Sequence, residues 1–426
     1  MFNEYTIKDV IEEVIDYRGK TPKKLGGDWS EEKTEYMALS AKNIKKGRIV
    51  QPDTIRYVDQ KMYNKWMKQE VERGTILITS EAPFGELLYW DSDEKIVLSQ
   101  RLFGLKIKKE FNSRYIYYYM FSEQFQGELS GRATGSTVTG LRQPELLKCH
   151  LKVPNRKYQD IIANILMNID KKIDLNNEIN NNLQELINNI FISKFVNFDE
   201  YNGEYKTTEI GDIPINWRID NFGSVISFSN GYGWDSKDML ENSMPDTYKV
   251  FKMGNIKIGG GINKEKTKSW ILKEKCAGLE QFLSKKGDVL MCMTDMKSSE
   301  NPLLGHTALI DRDDEFVINQ RVGLIRCDKE IKWPYIYTMT NLPFFISDIR
   351  SKAHSGVQVN LTTSGICDTK VLIPDEETLN EFYKNVTPMY EKMFVLNNEI
   401  EYLEQLKDTL LPKLMNGEID LENIEI

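Results

Sequence analysis

The chain says nearly the same thing twice, and a duplicated segment must fold twice on its own core. Short motifs of the first half recur in the second, in the same order, at an offset of 212 to about 220 residues. Gly19 in YRGKTP answers to Gly231 in SNGYGW, Asn43-Ile44 to Asn255-Ile256, and RGTILITS from Arg73 to KGDVLMCMT from Lys286. Gly85 answers to Gly305, SQR at Ser99–Arg101 to NQR at Asn319–Arg321, and YIYYYM at Tyr115 to YIYTMT at Tyr335. Two Gly/Ser/Thr loops, from Ala133 and from Ala353, are each followed by a strand-like run that ends in Pro154 or Pro374. Two domains are expected from the 426 residues, and 40% hydrophobic residues suffice to give each a core.

Within each copy, β-like runs such as Thr75–Thr79, Ile96–Leu98, Val289–Met293 and Phe316–Ile318 lie between Gly-rich and Asp/Asn-rich turns, which predicts mixed α/β domains. The aromatic segment Tyr115–Phe121 reads as a buried helix, with base stacking as the lesser alternative. A long helix follows each copy. The first, about Tyr158 to Phe195, places Ile162, Ile165, Ile169, Ile179, Leu183, Leu186 and Ile190 on a coiled-coil spacing. Lys172 and Asn176 interrupt that seam, where a buried polar group could fix register. The second helix carries Phe382, Val386, Met389, Met393, Leu396, Ile400, Leu403 and Leu410, with Pro412 expected to stop it. About 38 residues at about 1.5 Å each span roughly 57 Å, longer than packing on one domain requires, so the helices are expected to pair with each other, antiparallel. The reading is an α+β chain with two repeated mixed α/β domains, separated and joined by two long antiparallel coiled-coil helices, with pseudo-twofold symmetry. Its parts are a first domain (1–154), a central helical spacer (155–197), a second domain (198–374) and a distal helical spacer with tail (375–426).

The net charge of −8 argues against a nucleic-acid partner only when taken whole. Residues 1–153 carry 25 basic and 22 acidic groups, whereas 374–426 carry 4 and 13, so the acidity belongs to the C-terminal region, which should face protein rather than a polyanion. The five cysteines are scattered without a CxxC pair, and MFNEYTIKDV has neither the basic nor the apolar part of a secretion signal. With no apolar run of membrane-spanning length, a cytoplasmic protein without a membrane partner is expected.

Catalytic and metal motifs are absent. Gly19-Lys20-Thr21 lacks the first glycine of a phosphate loop, since Val14 stands there. There is no GxGxxG, GxSxG or HExxH, the three histidines His150, His306 and His354 are far apart, and the tetrapeptide of amino-methyltransferases is missing. Asp93-Glu94-Lys95 is no nuclease motif, because Asp91 to Lys95 reads as a hairpin turn between Trp90 and Ile96. No catalytic residue, metal or cofactor is expected in this chain. The repeats offer instead polar loops beside basic residues, the types that neutralise phosphates and read base edges. The candidates are Lys42, Asn43, Lys45, Lys46 and Arg48 with Arg132, Thr134, Thr137 and Arg142 in the first copy, and Lys252, Asn255 and Lys257 with Ser355, Gln358 and Asn360 in the second. A solvated surface is the alternative for any one of them.

Taken as an ordered series, GKTP at Gly19, the N-I-x-x-G segments at Asn43 and Asn255, the glycine-led strands at Gly74 and Gly287, the SQ/NQ pairs at Gln100 and Gln320 and the loop–strand–Pro–helix endings resemble the specificity (S) subunits of type I restriction–modification systems. The resemblance covers nearly the whole chain, although the second copy opens with GYGW in place of G-x-TP. It implies a non-catalytic subunit whose two target-recognition domains each read half of a bipartite double-stranded DNA target. The helices would set the spacer and dock two methyltransferase (M) subunits, with restriction (R) subunits as further partners. S-adenosylmethionine, ATP and Mg are then expected in those partners. A two-domain coiled-coil scaffold that binds only proteins is the alternative.

Overall fold

The structure, a computed structural model, describes residues 2–134, 140–296, 302–327, 329–355 and 358–422. It divides into two compact units: Met1–Leu175 with Glu399–Ile426, and Asn176–Asn398. Each unit takes one repeat and one end of both long helices.

The two repeats share one topology. In the first unit a four-stranded antiparallel sheet runs in the order Ile11–Asp16, Leu102–Ile107, Ile76–Thr79, Leu87–Tyr89; in the second the order is Ser227–Asn230, Val322–Arg326, Val289–Cys292, Thr307–Leu309. A three-stranded sheet accompanies each, with one parallel pairing: Met37–Leu39 on Ile96–Leu98, and Lys249–Phe251 on Phe316–Ile318. The strand before each long helix, His150–Val153 or Lys370–Ile373, returns to pair with Asn3–Thr6 or Arg218–Asn221 near the start of its repeat. The register also corrects the repeat alignment. Asp16 pairs with Phe103 where Asn230 pairs with Gly323, so Gly19 corresponds to Gly233, not Gly231.

Local chemistry explains the recurring motifs. Gly74 and Gly287 precede the inner strands at φ +94° and +90°, and a Cβ at Gly287 would come within 2.9 Å of Trp333. The aromatic run forms the helix Ser113–Tyr119, in which Tyr115, Tyr117, Tyr118 and Tyr119 are all buried, so it is core and not a stacking platform. Asp91 to Lys95 is no hairpin turn, because Leu87–Tyr89 and Ile96–Leu98 lie in different sheets; Arg73 holds Asp91 and Asp93 at 2.9 Å.

The central helix spans Arg156–Ile192 and the distal helix Glu376–Asn416. Pro412 does not end the latter. Proline lacks one N–H but can remain in a helix whose neighbours hold it, and the stop lies at Gly417, φ +72°. There the Gly417 N–H donates to the Leu414 carbonyl and the Glu418 N–H to that of Lys413, the double bond of a Schellman end. In the first unit Lys172 lies 3.4 Å from Glu399 and Asp170 2.5 Å from Lys407. In the second, Asn180 donates to Asn397 at 2.9 Å and the Phe195 and Phe382 rings meet at 5.1 Å. As numbers rise on one helix they fall on the other, so the segments pack antiparallel within each unit.

The buried line on the central helix is Ile162, Leu166, Ile169, Ile173, Asn176, Asn180, Ile187 and Phe191. Ile165, Ile179, Leu183 and Ile190 are half-buried beside it, and Leu186, expected in the seam, is 46% exposed. Hydrophobicity favours Ile179 over Asn180 and does not separate Leu186 from Ile187, so the sequence pattern slips by one residue over this half. Lys172 is exposed and pairs with Glu399 rather than entering the seam, whereas Asn176 is fully buried. On the distal helix Leu396 is buried, while Met389, Met393, Ile400 and Leu403 are half-buried. Among the described residues no helix is long and apolar enough to cross a membrane.

Candidate nucleic-acid interface

Each unit carries an open cleft of about 490 Å³ beside its four-stranded sheet. In the first unit the lining includes Arg18, Gly19, Ser80, Glu81, Gln100 and Arg101, closed by Thr134 and Gly140–Arg142. In the second it includes Tyr232, Gly233, Met293, Thr294, Gln320 and Arg321, closed by Asn360 and Leu361.

The same backbone bonds build both. The Ser80 N–H donates to the Arg101 carbonyl at 2.8 Å and the Leu141 N–H to the Ser80 carbonyl at 2.9 Å. In the second cleft the Met293 N–H donates to the Arg321 carbonyl at 3.3 Å and the Leu361 N–H to the Met293 carbonyl at 2.9 Å. The Gln-Arg turn, the end of the inner strand and the Gly/Ser/Thr loop are thereby tied together in each copy. The side chains differ. Glu81 accepts an ion pair from Arg101 at 3.0 Å, whereas Thr294 at the equivalent place donates to the Asn360 carboxamide at 2.8 Å. Arg18 forks onto Asp16 through two 2.9 Å bonds, lies 3.9 Å over the Phe103 ring, and donates to the Leu141 carbonyl at 3.2 Å.

Of the residues named from sequence, Thr134 and Arg142 line the first cleft and Asn360 the second. Thr137 lies outside the described residues, as does the side chain of Ser355. Gln358 is exposed on the strand that ends at Asn360. Asn43 and Asn255 are corrected: both are 1% exposed and cannot meet a ligand. Asn43 accepts from the Ser40 N–H and donates to Thr54; Asn255 accepts from the Lys252 N–H and donates to Thr267. A short polar side chain that closes such a turn explains why the motif recurs. Lys42, Lys45, Lys46 and Arg48 are exposed around a hairpin whose central residues, Lys46 and Gly47, have φ +47° and +78°. That hairpin packs on the aromatic helix, since a Cβ at Gly47 would meet the Tyr117 hydroxyl, and Arg48 pairs with Asp174 at 2.9 Å. Lys257 is exposed at the matching turn, and Lys252 is half-buried with its ammonium 2.7 Å from the Ser269 hydroxyl. Arg132 is held by Glu128 at 2.9 Å and approaches Glu145 at 3.7 Å, outside the cleft lining. Arg18, Glu81, Arg101, Thr294 and Arg321 were missed as site residues, although the repeated QR pair was a legible sign of the turn.

The family model for the type I restriction modification DNA specificity domain matches residues 2–185. The second unit repeats the strand order of the three principal sheets of the first. The type I restriction enzyme MjaIX specificity subunit of Methanocaldococcus jannaschii is 24% identical over 87% of this chain and 83% of its own length. Residues 2–185 thus match the specificity domain, and the chain is similar over most of its length to a type I specificity subunit. Another specificity subunit of that organism, MjaVIII, is 21% identical over 79% of this chain and 80% of its own. The crystal structure of the S subunit from M. genitalium superposes with a TM-score of 0.59 at 16% identity, covering 97% of this chain and 96% of that one, so the chain shares its fold from end to end. Among the described residues no group of three His, Cys, Asp or Glu side chains is placed to hold a metal.

Proposed function

We propose that this chain is the DNA-recognition subunit of a type I restriction–modification complex, each cleft reading one half of a bipartite duplex target. One observation carries the reading: the same concave site is built twice by equivalent backbone bonds and lined by different polar side chains. One fold repeated with two linings suits a reader of two different half-sites. The long helices set the spacer and dock two methyltransferase subunits, with restriction subunits joining where the system cleaves. Methyl transfer and cleavage belong to those partners, which bind S-adenosylmethionine, ATP and Mg. The acidic C-terminal region faces them rather than DNA.

Exchanging residues 1–153 for the matching domain of another specificity subunit tests this by methylome sequencing. One half of the methylated sequence should change and the other persist. A change in both halves, or none, would overturn the modular reading.

A further inference from the structure

Resting on that reading, we infer that each cleft is divided into an anchor common to both copies and a reader private to one. Gln100–Arg101 and Gln320–Arg321 hold the DNA backbone; Glu81 in the first cleft, and Asn360 set by Thr294 in the second, read base edges.

The division follows from what matches and what differs. Side chains identical at equivalent positions cannot tell two different half-sites apart, so they serve what every duplex offers, its phosphates and groove shape. All four anchor residues are exposed, at the turn that bonds to the end of the inner strand, which in turn holds the loop. Arg101 is held there at φ +67°, a conformation non-glycine residues rarely adopt and one that tends to persist at functional sites. A glycine lies at the matching place in each copy. Gly19 has φ +83°, and a Cβ at Gly233 would come within 2.9 Å of the Gln320 side-chain oxygen.

The readers occupy one spot with opposite chemistry. A Cβ at Gly140 would sit 3.6 Å from the Glu81 carboxylate; its equivalent is Asn360, whose oxygen accepts from Thr294 at 2.8 Å. A carboxylate accepts from the cytosine amino group, whereas a carboxamide pairs with the adenine edge. Glu81 can sit beside a polyanion because Arg101 offsets its charge at 3.0 Å.

The test uses the full chain assembled with its methyltransferase subunit, read by methylome sequencing and by duplex binding across salt. Arg321→Gln should leave both half-sites unchanged, weaken every duplex alike, and make the log–log salt slope shallower by about 1. Glu81→Gln should relax one base of the first half-site by about ten-fold or more and leave the second intact, with Asn360→Asp doing the converse. Arg321 lies outside the positive-φ region, so its variant does not disturb a strained turn. A changed base preference in Arg321→Gln, or an unchanged first half-site in a Glu81→Gln chain that melts normally, would overturn the division alone. Absence of sequence-selective binding by the unsubstituted complex would instead sink the recognition reading and the division with it.

Discussion

Leu186 and Ile187 are neighbours of equal size on one helix, and only the fold separates them. Ile187 is fully buried in the core of the second unit, whereas Leu186 is 46% exposed. Truncating Ile187 to Ala removes three buried carbons, about 0.8 kcal/mol each, and leaves a cavity, for a total of about 2–5 kcal/mol. Leu186→Ala forfeits roughly half of the transfer term, about 1 kcal/mol, and regains a few tenths from alanine's better helix propensity. In a unit of this size each kcal/mol moves the midpoint by about 2–4 °C. Calorimetry of the full chain should therefore show the transition of the second unit falling by about 4–20 °C for Ile187→Ala and by less than about 4 °C for Leu186→Ala. Hydrogen exchange on Trp333–Thr340, which shares that core, assigns the transition. Equal shifts, or the larger one in Leu186→Ala, would refute the observed seam in favour of the pattern read from hydrophobicity.

Burial first, and the charge of Arg350 second, hold the His306 imidazole below its ordinary value of 6.5. The unfolded chain then takes up a proton that the fold refuses, so stability is full above about pH 6.5 and falls as pH drops through it toward the folded value. His306→Gln should flatten that slope in urea melts between pH 7.5 and 5, and parallel slopes would contradict it. Asp170 accepts from the buried Tyr118 hydroxyl at 2.8 Å and from Lys407 at 2.5 Å. Asp170→Ala should cost the first unit about 1.5–3 kcal/mol by thermal melting, with Lys407→Met non-additive in a double-mutant cycle; additive losses would show that the three groups do not act together. Because the last 53 residues carry 4 basic and 13 acidic groups, the chain alone should bind duplex weakly, and tightly once the methyltransferase subunit covers them. Equal affinity in a gel shift would refute that covering role.

The duplication, the mixed α/β character of each copy and the two long helices were all legible in the chain, because each rests on local regularities: recurring glycines at positive φ, alternating apolar runs, and heptad spacing. The site was legible only in part. Asn43 and Asn255 recur because they close a buried turn, and sequence cannot distinguish a polar residue repeated for folding from one repeated for binding. The QR turn, the end of the inner strand and the Gly/Ser/Thr loop stand about 20 to 60 residues apart, and only antiparallel pairing with backbone bonds brings Glu81, Arg101 and Gly140 to one cleft. Similarly, Gly417 rather than Pro412 ends the distal helix, and Asn180 rather than Ile179 faces the seam, with Asn397 as its hydrogen-bond partner. Periodicity states that a face exists. Which residues are buried on it is decided by what the other helix and the sheet bring against it.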